Sequence, residues 1–149
     1  MSISRWQEFE FDTSPARLDV DLIHRELAQL YWSKGIPRDT VVRAIAGSLC
    51  FGVYHDNAQI GFARVISDRA TFAYLADVFI LEIWRGRGLA RQLVTVIRAH
   101  PELQGLRRWM LVTRDAHPLY APFGFGPLAD PAKVMEMADP DIYTRNSTG

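Results

Sequence analysis

The spacing of apolar positions changes several times along the chain, and each change marks an element. Near the start, Trp6, Phe9 and Phe11 alternate with polar residues, which predicts a strand over 5–12. The spacing then turns helical. Leu22, Ile23, Leu27, Leu30 and Tyr31 share one face, and Asp19 is placed to cap a helix reaching about Trp32. Lys34-Gly35 closes it and Ile36-Pro37 forms a link. Asp39 can open a second short helix that carries Val41, Val42 and Ile45 and ends at Gly47. Residues 48–55 and 58–67 predict a hairpin around Asp56-Asn57. Asp68-Arg69-Ala70 leads into a third strand over about 71–81, so these three form an antiparallel meander.

Leu89, Leu93, Val96 and Ile97 then give a helix from about Gly88 to His100, stopped by Pro101. Residues 106–113 read as a strand. It follows a helical crossover and is therefore expected parallel to the 71–81 strand. Arg114 to His117 open a short helix that Pro122 and Gly124 end. Residues 123–128 and 134–138 read as two final strands, and 139–149 as a flexible tail. The order predicts a single domain over 1–149 of the α/β class, with a mixed sheet of about six to seven strands and roughly four helices.

Composition narrows the function classes. The 149 residues are 48% hydrophobic, enough for a core, and 17 basic residues balance 17 acidic ones. A nucleic-acid or anionic-membrane binder would carry a basic excess, so neither partner is expected. Cys50 is the only cysteine and lies in an apolar run, which excludes an intrachain disulfide and suits a buried small hydrophobe. His24, His55, His100 and His117 lack metal-ligand spacing, so no metal is expected. The opening MSISRWQEFEFD is unlike a secretory signal, and no apolar run reaches bilayer length. A cytoplasmic protein is the expectation.

The most informative stretch is YLADVFILEIWRGRGLAR, Tyr74 to Arg91. An apolar strand, broken only by Asp77, enters Arg85-Gly86-Arg87-Gly88 and then a helix. The first amides of a helix lack internal partners and its dipole favours negative charge there, so this turn is a candidate anion site. Gly86 and Gly88 would let a phosphate approach the backbone. A dinucleotide fingerprint fits poorly, because Arg91 occupies its third glycine position and no repeated βαβ unit follows.

Arg85-x-x-Gly88-x-Ala90 resembles the Q/R-x-x-G-x-G/A signature of the GNAT superfamily of N-acetyltransferases. Val78-Phe79-Ile80 resembles the apolar triplet of its central strand. Leu119-Tyr120-Ala121-Pro122-Phe123-Gly124-Phe125 is similar to its L-Y-x-x-x-G-F ending. The resemblance is strongest over about residues 48–128. It implies a GNAT fold in which the central parallel strands splay, with the pantetheine arm of acetyl-CoA in the gap. It also implies an N-acetyltransferase that moves an acetyl group from acetyl-CoA to a primary amine of a small molecule or peptide. The attack would be direct, through a tetrahedral intermediate. A non-catalytic acyl-CoA sensor with the same fold is the alternative.

The resemblance assigns the backbone of Gly86, Arg87, Gly88, Leu89 and Ala90, with Arg85, to the pyrophosphate, and an amide among Val78, Phe79 and Ile80 to the thioester carbonyl. Tyr120 resembles the general acid; a phenol of pKa about 10 can protonate the departing thiolate. For the base, Asp77 competes with Glu82, His117 through water, and a water chain. Asp77 can equally anchor the substrate ammonium or pair structurally with Arg64 or Arg114. The acceptor is expected near Tyr31 and Trp32, in the segment Tyr31 to Ile36, where core and cap roles compete. The family also admits a homodimer.

Overall fold

A computed structural model describes residues 2–145. Six strands form one sheet in sequence order: β1 (Ile3–Trp6), β2 (Phe9–Asp12), β3 (Leu49–His55), β4 (Ala58–Ser67), β5 (Phe72–Ile80) and β6 (Arg108–Met110). The first five pair antiparallel, and β6 lies parallel to β5 as the crossover requires. The helices are α1 (Val20–Leu27), α2 (Arg38–Ala46), α3 (Leu89–Ala99), α4 (His117–Tyr120) and α5 (Ile142–Arg145). This is the mixed α/β sheet expected from the hydrophobic pattern.

Each face of the sheet buries its own core. On one face Phe51, Val65 and Leu75 pack with Leu93 and Ile97 of α3. On the other, Phe62 and Phe79 pack with Ile23 and Leu27 of α1 and Val41 of α2. A fully buried side chain of this kind contributes about 1.5–3 kcal/mol. Cys50 belongs to the second core. Burial pushes its thiol up to about 12, which keeps it inert.

Four local expectations are corrected. The strand expected over 5–12 is a hairpin of two strands, turning at Gln7 with φ +55° and tied by the Arg5–Glu10 ion pair at 2.9 Å. The first helix ends at Leu27 rather than near Trp32. The Ser33 hydroxyl donates to the Leu27 carbonyl at 2.6 Å and the Gly35 amide to the Ala28 carbonyl at 3.0 Å, so the chain folds back. Tyr31 and Trp32 therefore leave the helical face for a loop. The second helix takes Pro37 as its N-cap, and Asp39 instead lies in the first turn and pairs with Arg43. Residues 123–128 and 134–138 form no strands. Pro127 and Pro131 offer no amide to a ladder, Pro131–Lys133 turns into a 3-10 helix, and Met135 and Met137 stand fully exposed.

Within the tail read from residue 139, Asp139–Arg145 is described. The α5 turn is tied by an Arg145–Asp139 ion pair, and Tyr143 packs on the second core. Residues 146–149 lie outside the described residues.

Two features of β5 position the site. First, β5 and β6 pair only through Phe72↔Arg108, Ala73↔Trp109 and Tyr74↔Met110, after which β5 runs on to Ile80 without that partner. The strands splay. Second, β5 carries one extra residue opposite β4. Phe62 faces Phe79 and Arg64 faces Ala76, so two steps on β4 oppose three on β5. Asp77 absorbs the insertion in the left-handed region, with φ +56°. Before this bulge Ala73 and Leu75 face α3; after it, Phe79 faces α1 and α2. The insertion turns Asp77 away from the α3 core.

Candidate active site

The glycine turn sits where β5 ends. A short 3-10 turn, Glu82–Trp84, follows the strand, and the Arg85 side chain donates from Nε to the Ile80 carbonyl at 2.9 Å. Gly86 and Gly88 both have φ +80°, a backbone that side chains rarely adopt. Gly88 caps α3 without a side-chain bond. The first helical bond runs from the Gln92 amide to the Gly88 carbonyl at 3.0 Å. The amides of Leu89, Ala90 and Arg91 thus open the helix without acceptors inside it. Arg87 lies 4.9 Å over the Trp84 ring. The turn can hold an anion through its backbone.

A cleft of about 710 Å³ runs from this turn into the splay. Val78, Phe79 and Ile80 form its β5 wall; Arg85, Gly86, Gly88, Leu89 and Ala90 line its mouth; Leu119 and Tyr120 close it opposite. Of the residues expected at a cofactor, only Arg87 is outside the lining. A second cavity of about 490 Å³ lies on the α1 and α2 side, bounded by Tyr31, Trp32, Arg64, Tyr74, Asp77, Leu111, Thr113 and Tyr143. Tyr31, Trp32, Val78, Asp115, Ala116 and Tyr120 line both. The two cavities meet at the gap between β5 and the chain beyond β6.

Tyr120 stands at that junction, 8% exposed. Burial pushes its phenol up to about 12, and Tyr31 adds a smaller push. Its hydroxyl therefore stays protonated at neutral pH. Among the described residues that hydroxyl makes no hydrogen bond. Phe125 holds the ring in an edge contact at 6.0 Å.

Asp77 is held at both oxygens. Arg64 donates from Nε to Oδ2 at 2.8 Å, and the Trp32 indole donates to Oδ1 at 3.0 Å. The same guanidinium donates from Nη1 to the Ser48 hydroxyl at 3.1 Å. Of the two arginines weighed as partners, Arg64 is the one that pairs. Arg114 instead lies 3.9 Å over the Tyr31 ring, and its amide donates to the Tyr31 hydroxyl at 3.2 Å. Tyr31 and Trp32 remain about half exposed and meet edge to face at 5.1 Å. Glu82 and His117 are exposed, and neither lines either of these two cavities.

Sequence reasoning missed Asp115, Tyr74 and Tyr143 as lining residues. Asp115 had a signal, since it follows the parallel strand at the splay. Tyr143 had none, because it reaches the cavity from the far end of the chain. Among the described residues no group of His, Cys, Asp or Glu is arranged to hold a metal, and no helix is long and apolar enough to cross a membrane.

The model of the acetyltransferase (GNAT) domain matches residues 46–127, the span that carries β3 to β6, the glycine turn and Tyr120. A candidate acetyltransferase of Gibberella zeae is 32% identical over 136 residues, covering 76% of each chain. The crystal structure of a candidate GNAT-family acetyltransferase from Xanthomonas campestris superposes with a TM-score of 0.91 at 51% identity, covering 93% of this chain and 98% of that one. A candidate acetyltransferase from Clostridium acetobutylicum, solved with acetyl-CoA, has the same fold at 15% identity and TM-score 0.65, covering 87% and 96%. A splayed mixed sheet with an anion turn at the start of its crossover helix defines an acyl-transfer scaffold. The chain belongs to the GNAT acetyltransferase family.

Proposed function

We propose that the protein is an acetyl-CoA-dependent N-acetyltransferase acting on a primary amine. One observation carries this reading: Tyr120 is the buried, protonated and unbonded phenol shared by an anion-headed cleft and a second cavity. The residues present fit coenzyme A. Two left-handed glycines and three open amides suit a pyrophosphate, and the apolar wall Val78–Ile80 suits a pantetheine arm. Acetyl-CoA bound by the Clostridium acetobutylicum relative is in keeping with that fit.

Bound acetyl-CoA supplies the acyl thioester. The chain does the rest. Backbone amides of Gly86 to Ala90 hold the pyrophosphate. The open side of β5 past Tyr74, at the bulge, supports a role for a Val78–Ile80 amide as donor to the thioester oxygen, where a preorganised donor would be worth about 3 kcal/mol. The acceptor enters on the side of Tyr31 and Trp32. Its nitrogen, after losing a proton, adds to the thioester carbonyl to form the C–N bond, and the C–S bond then breaks. Tyr120 gives its proton to the leaving sulfur and regains one from the new amide nitrogen. Asp77 orients Trp32 and balances Arg64 at the cavity wall; both its oxygens are engaged, so water is the better route for the amine proton.

Thermal unfolding with acetyl-CoA, then thiol release against an amine panel on the same sample, tests this. Acetyl-CoA at 100 times its dissociation constant adds about 2.7 kcal/mol, a rise of about 5–10 °C for this size. Amine-dependent thiol release completes the case. A rise in Tm without amine-dependent release would point to an acyl-CoA sensor, and no rise would remove the cofactor assignment.

A further inference from the structure

The second cavity is more selective than an amine site needs to be. Three formal charges line it: Arg64, Asp77 and Asp115. The first two cancel at 2.8 Å, and the remaining Asp77 oxygen takes the Trp32 indole. Asp115 carries what is left. It is exposed, lies on the lining shared by both cavities, and has no partner among the described residues. The lining thus has a net charge of minus one, set where an amine must stand to meet the acyl donor. The rest of the wall sets rings and hydrocarbon, chiefly Trp32, Tyr74, Tyr143, Leu111 and Val112, beside the hydroxyls of Ser33, Thr113 and the tyrosines.

We propose that the acceptor is a compact monoamine with an aromatic or apolar body, and that Asp115 anchors its ammonium group; this rests on the acetyltransferase reading above. One free carboxylate matches one cation. A polyamine would need a second carboxylate, and Asp77 is already neutralised by Arg64. An amino sugar would need a partner for each of its hydroxyls, and on this wall the Ser33, Thr113 and Tyr31 hydroxyls are already engaged within the chain. An amino acid would need a free cation for its carboxylate. Arg64 is committed to Asp77 and Ser48, and Arg114 sits over Tyr31 and lines only the cofactor cleft. The faces of Trp32 and the tyrosines favour a cation on a ring-bearing stem. A volume of about 490 Å³ accommodates a single such molecule.

The test uses the purified full chain with acetyl-CoA and four amines: 2-phenylethylamine, phenylalanine, spermidine and glucosamine. We expect kcat/KM to be at least about tenfold higher for 2-phenylethylamine than for the others, a difference of about 1.4 kcal/mol. Asp115→Asn should raise KM for that amine about two- to fivefold, the range of an exposed ion pair. The KM for acetyl-CoA should stay within about twofold, and Asp115→Glu should recover most of the loss. Asp115 is exposed, so the fold tolerates both variants. Preference for spermidine, glucosamine or phenylalanine overturns the proposal while leaving the acetyltransferase reading intact. So does an unchanged amine KM in Asp115→Asn. Absence of any acetyl-CoA effect on Tm overturns the reading beneath it instead.

Discussion

The two sides of the splay are built from different materials. The side proposed for the cofactor is made of backbone: two left-handed glycines, the open amides of α3 and the strand Val78–Ile80, all within a few residues of one another. The side proposed for the acceptor is made of side chains. It takes Trp32 from the loop after α1, Arg64 from β4, Asp77 from the bulge, Asp115 from beyond β6 and Tyr143 from α5. A backbone site serves a ligand part that does not vary, and any sequence with the right turn can make it. A side-chain site can be changed one residue at a time without disturbing the turn. If this division holds, substitutions on one side leave the other nearly untouched.

The largest expected effect is on the backbone side. Gly88→Asp forces a side chain into φ +80° and puts a negative charge at the anion turn. Affinity for acetyl-CoA should fall at least about a hundredfold, and the ligand-induced rise in Tm should vanish. Space is not the reason, since a Cβ there meets only Trp6 at 3.6 Å, so the protein should still fold. Normal acetyl-CoA affinity in folded Gly88→Asp would break the comparison at its stronger end. Next comes the residue that belongs to both sides. Tyr120→Phe should lower kcat about a hundredfold while acetyl-CoA affinity changes less than about threefold. Its folded pKa is raised, to about 12, from the ordinary value of 10. The stabilisation from burying the neutral phenol is therefore complete below pH 10 and is lost as pH rises through 12. Wild-type kcat should show no alkaline fall from this group below about pH 10, measured with an amine already neutral there.

The same division explains what could be read from the sequence. The glycine turn was legible because its chemistry is local: a strand, two glycines and a helix start are contiguous. The Leu119-Tyr120 pair was legible by resemblance, and the parallel strand by the rule for helical crossovers. The bulge was not legible, because Asp77 looks like any polar interruption of an apolar strand; only the pairing with β4 reveals the extra residue. The loop that carries Tyr31 and Trp32 was misread as helix, since their spacing fits one. What ends the helix is the Ser33 hydroxyl taking the Leu27 carbonyl. Tyr143 and Asp115 join the acceptor cavity through tertiary packing that no local pattern encodes. The final strands failed because apolar residues near 134–138 suggested pairing, whereas nothing among the described residues covers Met135 or Met137.

On the acceptor side, Arg64→Met should matter less to binding and more to stability. It leaves the Asp77 carboxylate, 10% exposed, without its cation. A fully buried pair broken in this way costs about 3–5 kcal/mol; with Arg64 18% exposed, about 2–3 kcal/mol is a fair discount. The melting temperature should fall by about 5–10 °C. Asp77→Asn in the same chain should recover part of that loss, which a double-mutant cycle would read as coupling. The amine KM should rise and acetyl-CoA affinity stay within about twofold. An equal loss of acetyl-CoA affinity would mean the two sides are one cooperative unit.

The smallest expected effect is the sharpest test of the backbone claim. Arg87 sits in the anion turn, exposed, with its guanidinium 4.9 Å over Trp84 and outside the lining of the cleft. If the amides hold the pyrophosphate, Arg87→Ala removes only a screened surface charge. Acetyl-CoA affinity should drop less than about fivefold, under about 1 kcal/mol, and the drop should shrink as salt is added. Titration of acetyl-CoA at low and high ionic strength measures both. A loss above about tenfold that persists at high salt would place the anion on side chains rather than on the backbone. The turn would then be tunable like the acceptor wall, and the contrast between the two sides would disappear.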